Sequence, residues 1–409
     1  MRLFLTLALR NVFRNRARTT VALSAIGFGC AALIVNGGII YDIFEELRED
    51  AIRGRHGHLQ IYRGGYSEHH LREPGRYLIP HEEADRVVRL LASQPHVEHV
   101  TRRREFSGMI SSKDRYVAFV GIGVEPALEG EYSRHTLLRR GEPLSADVPY
   151  GMIAGLGLAE KFGGEPGDLV TLMTNTDTGA LNAVDARLMG VFEGGMKAYD
   201  DWTLKIPLEA VERLLLDDRT EVLVVLLDST DRVDEVRASL ADLFAREGLD
   251  LETRSWQDLA LFHNQVVGLF QRELDVIKVI IATIVILGIA NTIGISILER
   301  RAELATLRAL GLRRSAIIRL LLAETALAGV IGGLLGVGLG YAATRLITAI
   351  GIPFPSPPGS TKPFLGSADF VPSLAAGSFL LLAAATLIAA APIIWKASRR
   401  PIAETLRAG

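Results

Sequence analysis

Four long apolar runs constrain the fold of this chain more than any other feature of its sequence. They occupy residues 19–41, 276–298, 317–350 and 372–395, and charged side chains are rare or absent within each of them. A helix of about 20 mainly apolar residues crosses the roughly 30 Å hydrocarbon layer of a membrane. The pattern therefore predicts four transmembrane helices, of which the third is long enough to be tilted.

The first run lies near the amino terminus, where a cleaved signal peptide is the alternative. Its apolar stretch is longer than the roughly 7 to 15 residues of a signal peptide, and no A-x-A-like cleavage site follows it. We therefore expect an uncleaved membrane anchor.

The arginines indicate which side of the membrane each loop occupies. They cluster in residues 1–18, before the first run, in 299–316, between the second and third, and in 396–409, after the fourth. Short loops rich in Lys and Arg stay in the cytoplasm, so these three segments are predicted to lie inside. The segments 42–272 and 351–371 are then predicted to lie outside.

The long segment 42–272 is predicted to form a mixed α/β extracytoplasmic domain. Strand-like runs alternate there with helical apolar spacing, and the segment is large enough to bury its own core. Its polar flanks, 44–53 and 255–273, are predicted to extend the first two spans as helical stalks. The fold class is thus an α-helical membrane protein with four transmembrane helices and this added domain. The strand-like runs are 58–62, 116–124, 169–173, 204–207 and 221–227, and the clearest helices are 82–91, 208–216 and 233–244.

Sequence motifs give no support for catalysis by this chain. Gly155 and Gly157 match two of the three glycines of the dinucleotide-binding motif G-x-G-x-x-G. The third glycine is missing, and no clear strand-turn-helix context surrounds them. There is no G-x-S-x-G elbow for a serine nucleophile. No lysine is followed by Ser or Thr, so the phosphate loop G-x-x-x-x-G-K-[ST] is absent. We predict a non-enzymatic chain without a cofactor of its own.

Metal ligands are not predicted either. His56, His58, His69 and His70 lie close in sequence but lack the regular spacing of a metal cluster, so a solvated strand and loop is expected. The single cysteine, Cys30, lies inside the first apolar run and excludes a disulfide framework. We expect it to be a small lipid-facing or helix-facing residue.

The segment between the second and third runs predicts a short amphipathic helix on the cytoplasmic surface. Glu303 and Arg308 flank its apolar side, and Gly311 provides a C-terminal stop. The residues alone leave two interpretations open: a helix that rests on anionic lipid headgroups, or a coupling helix in a groove of a cytoplasmic motor protein. The apolar side is predicted to consist of Leu304, Leu307 and Leu310.

Three motifs follow one another in residues 299–336: a Glu299-Arg300 pair, a Leu-Arg-Ala-Leu-Gly core that ends at Gly311, and Glu324 ahead of a glycine-rich helix. In this order they resemble the signature of the MacB/FtsX/LolC-LolE superfamily of ABC transporter permeases. The basic segment 10–18 and the tail 397–407 are similar to the ends of the same family. Residues 152–172 are similar to its MacB-like periplasmic core domain.

The resemblance implies a partner that supplies the energy. A cytoplasmic ABC ATPase would bind ATP and Mg and hydrolyse ATP on another polypeptide, which departs from MacB itself, whose ATPase is fused to its permease. A second permease copy or a sister permease would complete a dimer among membrane lipids, with no nucleic acid involved. The residues that would contact the ATPase are Glu303, Leu304, Leu307, Arg308, Leu310 and Gly311.

Three glycines are predicted to mediate packing within the membrane. Gly332, Gly336 and Gly340 recur every fourth residue, which permits close helix contact on one face. In the family context, this face is expected to pack against another span or the partner permease. Glu324 enters the same span, where a carboxylate is costly unless it faces protein or the interface. It is expected to pair with an arginine of the connecting segment.

Residues 56–66, His-Gly-His-Leu-Gln-Ile-Tyr-Arg-Gly-Gly-Tyr, resemble the strand after the first span in LolC/LolE lipoprotein-releasing permeases. The resemblance implies release of lipoproteins, or of a lipid-like substrate, from the outer leaflet of the bacterial inner membrane, with a periplasmic lipoprotein carrier as partner. Three alternatives stay open: a MacB-like exporter of peptides or amphiphiles, an FtsX-like regulator of a cell-wall hydrolase, and a membrane-anchored sensor or scaffold.

Overall fold

A computed structural model describes residues 16–70, 72–113, 115–354 and 364–399. The chain divides into two compact units. The helical unit comprises Met1–Phe44, Val266–Phe354 and Leu365–Gly409, and the sheet unit comprises Glu45–Gln265 and Pro355–Phe364. Most of the predicted basic segment 1–18 and tail 396–409 lies outside the described residues.

Among the described residues, four helices are long and apolar enough to cross a membrane, which confirms the predicted number. In the first apolar helix, half of the most apolar stretch is buried. In the second apolar helix, only 11% of the corresponding stretch is buried. A fifth, short helix, Arg301–Ala309, joins the second and third and is called the connecting helix. The first to fourth apolar helices are Arg16–Ala51, Leu261–Glu299, Arg314–Ile350 and Pro372–Ser398.

The first apolar helix is the centre of the packing in the helical unit. Ile26, Cys30 and Ile34 are fully or almost fully buried on one of its faces, in a cluster with side chains of the second and fourth helices. The sequence left open whether Cys30 faces lipid or another helix. The structure shows that it is buried against other helices. The third and fourth helices also pack closely, since a Cβ at Gly333 would lie 2.6 Å from the Phe379 ring.

The sheet unit contains a ten-stranded mixed sheet with the order β10-β1-β9-β2-β3-β8-β5-β7-β4, while β6 pairs with β2 and β7. The β3·β8 and β5·β7 pairs are parallel, and the other pairs are antiparallel. In chain order the strands are β1 Leu59–Arg63, β2 Val97–Ser112, β3 Arg115–Val124, β4 Leu137–Gly141, β5 Gly151–Gly155, β6 Leu169–Asn175, β7 Leu181–Glu193, β8 Thr203–Pro207, β9 Val222–Leu227 and β10 Leu251–Ser255; a separate pair joins β11 Ile352–Phe354 to β12 Phe364–Gly366.

The two largest apolar clusters of the sheet unit pack against this sheet. One gathers β1, β9 and the helices His81–Ala92 and Val233–Glu247, and the other gathers β5 to β8 with the helices Leu156–Phe162 and Leu208–Leu215. Every residue of β9 is buried, as expected for a continuous run of Val and Leu. The remaining helices are Tyr66–His69, Pro126–Tyr132, Lys197–Asp200 and Trp256–Leu259, with a π-helical turn Ile52–His56 and 3₁₀ turns Pro74–Tyr77 and Thr230–Arg232.

The mixed α/β character of the outer domain is confirmed. All five predicted strands and all three predicted helices overlap observed ones. Two long strands, β2 and β7, were not among the predicted runs. The predicted stalk 44–53 is helical to Ala51 and continues as the π-helical turn, whereas 255–273 is interrupted at Ala260 before the second apolar helix begins.

Candidate coupling site at the connecting helix

The connecting helix forms where the sequence predicts it, because its Ala, Leu, Glu and Arg residues all favour helix. It ends at Ala309, and Gly311 then adopts a φ of 95°, which side-chain-bearing residues rarely adopt. The Gly311 N–H donates to the Arg308 carbonyl at 3.0 Å, and the Leu312 N–H donates to the Leu307 carbonyl at 3.1 Å. These bonds fix the end of the helix and direct the chain into the third apolar helix.

One face of the connecting helix packs against the apolar helices. Leu304 and Ala305 are buried there, and Leu304 joins a cluster with Ile297, Ile317 and Ile394. Those three residues come from the second, third and fourth apolar helices. Leu304 therefore anchors the connecting helix within its own chain and is not accessible to a partner.

An ion pair holds the start of the connecting helix to the third apolar helix. The Arg300 Nη1 lies 2.8 Å from Glu324 Oε2, and the Arg300 Nε lies 3.1 Å from Glu303 Oε2. The side chains of Arg300 and Glu324 are only 11% and 14% exposed. This confirms the predicted pairing of Glu324 with an arginine of the connecting segment.

The opposite face of the connecting helix is open. Leu310, the residue directly after the helix, is 81% exposed, Leu307 is half-buried, and Thr306 is exposed. Of the six residues predicted to couple, the structure brings Glu303, Leu307, Leu310 and Gly311 to the accessible side or its edge. The other two, Leu304 and Arg308, turn toward the apolar helices.

A pocket of about 390 Å³ lies beside the inner face of the connecting helix. The ends of the second and fourth apolar helices and the start of the third complete its walls, which are mainly apolar. Three cationic residues line it: Arg301, Arg308 and Lys396.

The three predicted packing glycines face the first apolar helix. A Cβ at Gly332 would lie 2.9 Å from the Ile26 Cβ, and one at Gly340 would lie 3.0 Å from the Ile34 Cβ. A Cβ at Gly336 would come within 2.7 Å of the Gly27 carbonyl oxygen. The contact is thus made with a span of the same chain, at a separation that larger side chains would prevent.

A buried charge cluster in the sheet unit was missed by the sequence interpretation. The Lys205 Nζ donates to Glu129 Oε1 at 2.5 Å and to Ser133 Oγ at 2.8 Å, and Arg103 Nη2 donates to Glu129 Oε2 at 3.2 Å. Burial disfavours the charged carboxylate, but Lys205 and Arg103 outweigh burial and lower the pKa of Glu129 to about 2. The only sequence signal is a lysine inside the apolar stretch of β8.

The structure corrects two expectations for the outer domain. Gly155 does end a strand directly before a helix, contrary to the sequence interpretation, but Asp200 and Asp201 fill the space beside Gly155 and Gly157 where a pyrophosphate would approach. His58 is buried rather than solvated. Among the described residues, no group of His, Cys, Asp and Glu is arranged to hold a metal.

His58 has a structural role in the sheet unit. Its Nδ1 accepts the Leu227 N–H at 3.0 Å, and its Nε2 lies 3.1 Å from Thr230 Oγ1. Burial lowers the pKa of His58 to about 4, and the positive charges of Arg53 and Arg48 add to the effect. The side chain is therefore neutral at physiological pH.

The fold and this site define a polytopic membrane protein of the permease class, in which a short helix between two spans presents one open face. A sequence profile of the MacB-like periplasmic core domain matches residues 19–243, more than half of the chain, and a profile of the FtsX-like permease C-terminal domain matches residues 276–402. The chain belongs to the MacB/FtsX/LolC superfamily of ABC transporter permeases.

Individual relatives cover different shares of the chain. It is 24% identical to the lipoprotein-releasing system transmembrane protein LolC of Neisseria meningitidis serogroup B, over 79% of this chain and 76% of LolC. It is 27% identical to the macrolide export ATP-binding/permease protein MacB of Psychrobacter cryohalolentis, over 42% of this chain but only 27% of MacB. Among solved structures, the periplasmic region of MacB from Actinobacillus actinomycetemcomitans aligns with a TM-score of 0.36 and 15% identity, over 51% of this chain and 93% of that region.

Proposed function

We propose that this chain is the non-catalytic membrane subunit of an ATP-driven complex in the bacterial inner membrane. A separate cytoplasmic ATPase binds ATP and Mg, docks on the connecting helix and drives movement of the periplasmic domain. A second copy or a sister permease completes the complex, and both termini of the chain are cytoplasmic. Family membership supports the general role, since permeases of ABC transporters work with a cytoplasmic ATPase.

The asymmetry of the connecting helix is the observation that carries this proposal. Leu304 and the Arg300–Glu324 ion pair fix its inner side to the apolar helices, while Leu310 exposes an apolar side chain on the other side. A force applied to the open face would reach the apolar helices through these fixed contacts. Insertion of this exposed leucine into a partner groove would remove its apolar surface from water.

For the substrate, we propose lipoproteins or a lipid-like molecule released from the outer leaflet. The supporting observation is the alignment with LolC, which covers 79% of this chain and therefore includes parts of both the apolar helices and the outer domain, whereas the MacB alignment covers 42%. A periplasmic carrier would then receive the released substrate.

Replacement of Leu310 by aspartate tests the docking. Because this side chain is 81% exposed, Leu310→Asp costs the isolated chain little, but it places a charge in any apolar groove that receives the residue. Tagged wild type and variant are purified from membranes of the native bacterium at matched abundance. We expect at least a tenfold loss of co-purified ABC ATPase, measured by mass spectrometry, and of ATP turnover.

Leu181→Asp is the matched control, because Leu181 is 75% exposed but lies in the outer domain. It should leave ATPase recovery unchanged. Half-buried Leu307→Asp should also lower recovery, with some loss of stability in addition. Equal ATPase recovery and turnover for wild type and Leu310→Asp would refute the docking assignment and favour a helix that only rests on lipid.

The proposed orientation has its own test. In a Cys30→Ala background, Leu310→Cys supplies a single exposed thiol on the connecting helix. An impermeant maleimide added to intact spheroplasts should leave it unlabelled, and lysis should make it reactive, because the arginine-rich segments lie inside. Labelling in intact spheroplasts would contradict the topology.

A further inference from the structure

The pocket beside the connecting helix combines two properties that a purely structural gap lacks. Its walls are apolar, with Ile297, Ile317 and Ile393 among them, and its volume of about 390 Å³ falls within the roughly 300–1,000 Å³ of typical ligand sites. Cationic side chains also line it. Within the described part of the chain, neither Arg301 nor Lys396 forms an ion pair, although both line the pocket.

Neighbouring residues place this pocket at the level of the membrane interface. Trp395 is 53% exposed at the end of the fourth apolar helix, and the Arg399 guanidinium lies 3.6 Å from the centroid of its ring. Tryptophan with a flanking cation is typical of the boundary between hydrocarbon and headgroups. Leu298, which also lines the pocket, is 51% exposed on the second apolar helix. An apolar cavity here is therefore next to acyl chains, and its cations are next to headgroups.

We propose that this pocket binds an anionic phospholipid of the cytoplasmic leaflet. One acyl chain occupies the apolar cavity, and Arg301 and Lys396 bind the phosphate, with Arg308 adding positive charge. Basic pockets between transmembrane helices on the cytoplasmic side are suited to such headgroups. The proposal rests on the cytoplasmic placement of the connecting helix in the proposed function.

The test uses the purified full-length chain in phosphatidylcholine nanodiscs, without any ATPase. The nanodiscs contain a small fraction of phosphatidylglycerol with a photoreactive group on its acyl chain, or the corresponding phosphatidylcholine probe. After irradiation, labelled peptides are mapped by mass spectrometry. We expect phosphatidylglycerol to label the peptides around Leu298 and Ile393 at least fivefold more than phosphatidylcholine does.

Variants identify the groups responsible. In the double variant Arg301→Gln/Lys396→Gln, labelling by phosphatidylglycerol should be at least fivefold lower than in wild type, because the substitutions remove charge without changing the cavity. Ala397→Phe should exclude both probes by filling the cavity. The matched control is Arg313→Gln/Arg314→Gln, which removes two exposed cations from the same segment outside the pocket and should label like wild type.

Any of three results would overturn the proposal. Equal labelling by the two probes would show ordinary contact with surrounding lipid, and equal loss in the control variant would show general surface charge. If Arg301→Gln/Lys396→Gln instead lowers ATPase recovery while the wild-type pocket shows no preference for phosphatidylglycerol, the ATPase is the occupant and the proposal fails. Because no ATPase is present during labelling, the lipid-labelling result is independent of the Leu310→Asp result.

Discussion

Arg300 and Glu324 form an ion pair of 2.8 Å that ties the residue before the connecting helix to the first turns of the third apolar helix. The two residues are separated by 24 positions in the sequence. Both side chains are largely shielded from solvent, so their attraction is only weakly screened. Together with the buried Leu304, this pair fixes the connecting helix at its amino-terminal end.

Removal of the carboxylate should loosen the connecting helix. Glu324→Gln leaves Arg300 with its second partner, Glu303, but breaks the link to the third apolar helix. We expect amide hydrogen exchange in Arg301–Ala309 to rise at least tenfold, which corresponds to about 1.4 kcal/mol. Unchanged exchange in Glu324→Gln would show that Leu304 packing alone holds the helix.

Addition of a single methyl group should distinguish two glycines of the third apolar helix. Gly336→Ala places a Cβ 2.7 Å from the Gly27 carbonyl oxygen and should cost about 1–3 kcal/mol through overpacking. Gly338→Ala is the control, because its Cβ would meet no atom within 4 Å. The thermal midpoint of the detergent-purified chain should fall for the first variant only. Equal midpoints would mean that the first and third helices separate readily.

The buried Glu129 should be essential for the stability of the sheet unit. Glu129→Gln leaves Lys205 and Arg103 without their carboxylate partner, at a cost of about 3–5 kcal/mol. Denaturant unfolding of the whole chain, followed by tryptophan fluorescence, measures this loss. On the same helix, Glu131→Gln removes only a pair with the exposed Arg134 and should change stability by less than about 1 kcal/mol. A loss of similar size in both variants would contradict a special role for the cluster.

Mild acid should destabilise the sheet unit through His58. Its pKa of about 4 in the folded chain lies below the usual 6.5, so the unfolded chain binds more protons between these values. Stability is therefore lost as pH falls from about 6.5 toward 4, by up to about 1.4 kcal/mol per pH unit from this residue. In His58→Asn, the amide oxygen replaces Nδ1 as acceptor for the Leu227 N–H, and the slope of melting temperature against pH should be shallower. An identical slope would exclude His58 as its source.

Apolar patterns in the sequence were sufficient to predict the spans, five of the ten strands of the sheet unit and three of its helices. The stretch of β9 is recognisable because it is continuously apolar, and the helix Leu208–Leu215 because its buried positions recur with helical spacing. Strand β2 was missed because it contains Arg102, Arg103 and Arg104, and the burial of two of these depends on partners distant in sequence.

The connecting helix shows the limits of reasoning from spacing. Leu304 and Leu310 are six residues apart, which separates them by about 120° around a helix of 3.6 residues per turn. They therefore do not share a face, and the structure buries one and exposes the other. Glu129 was not predictable for a different reason, since the lysine that compensates its burial lies 76 residues away.

The glycine contact between the first and third apolar helices limits how the helical unit can change shape. Turning the third helix about its axis would bring the side chains of Leu334 or Leu335 against the backbone of the first, where only hydrogen atoms now fit. Steric contact between the two helices therefore opposes their relative rotation. Only 11% of the most apolar stretch of the second apolar helix is buried, so fewer contacts oppose its movement. The connecting helix begins two residues after the second apolar helix ends. A force on its open face would therefore displace the second apolar helix more easily than the first or the third.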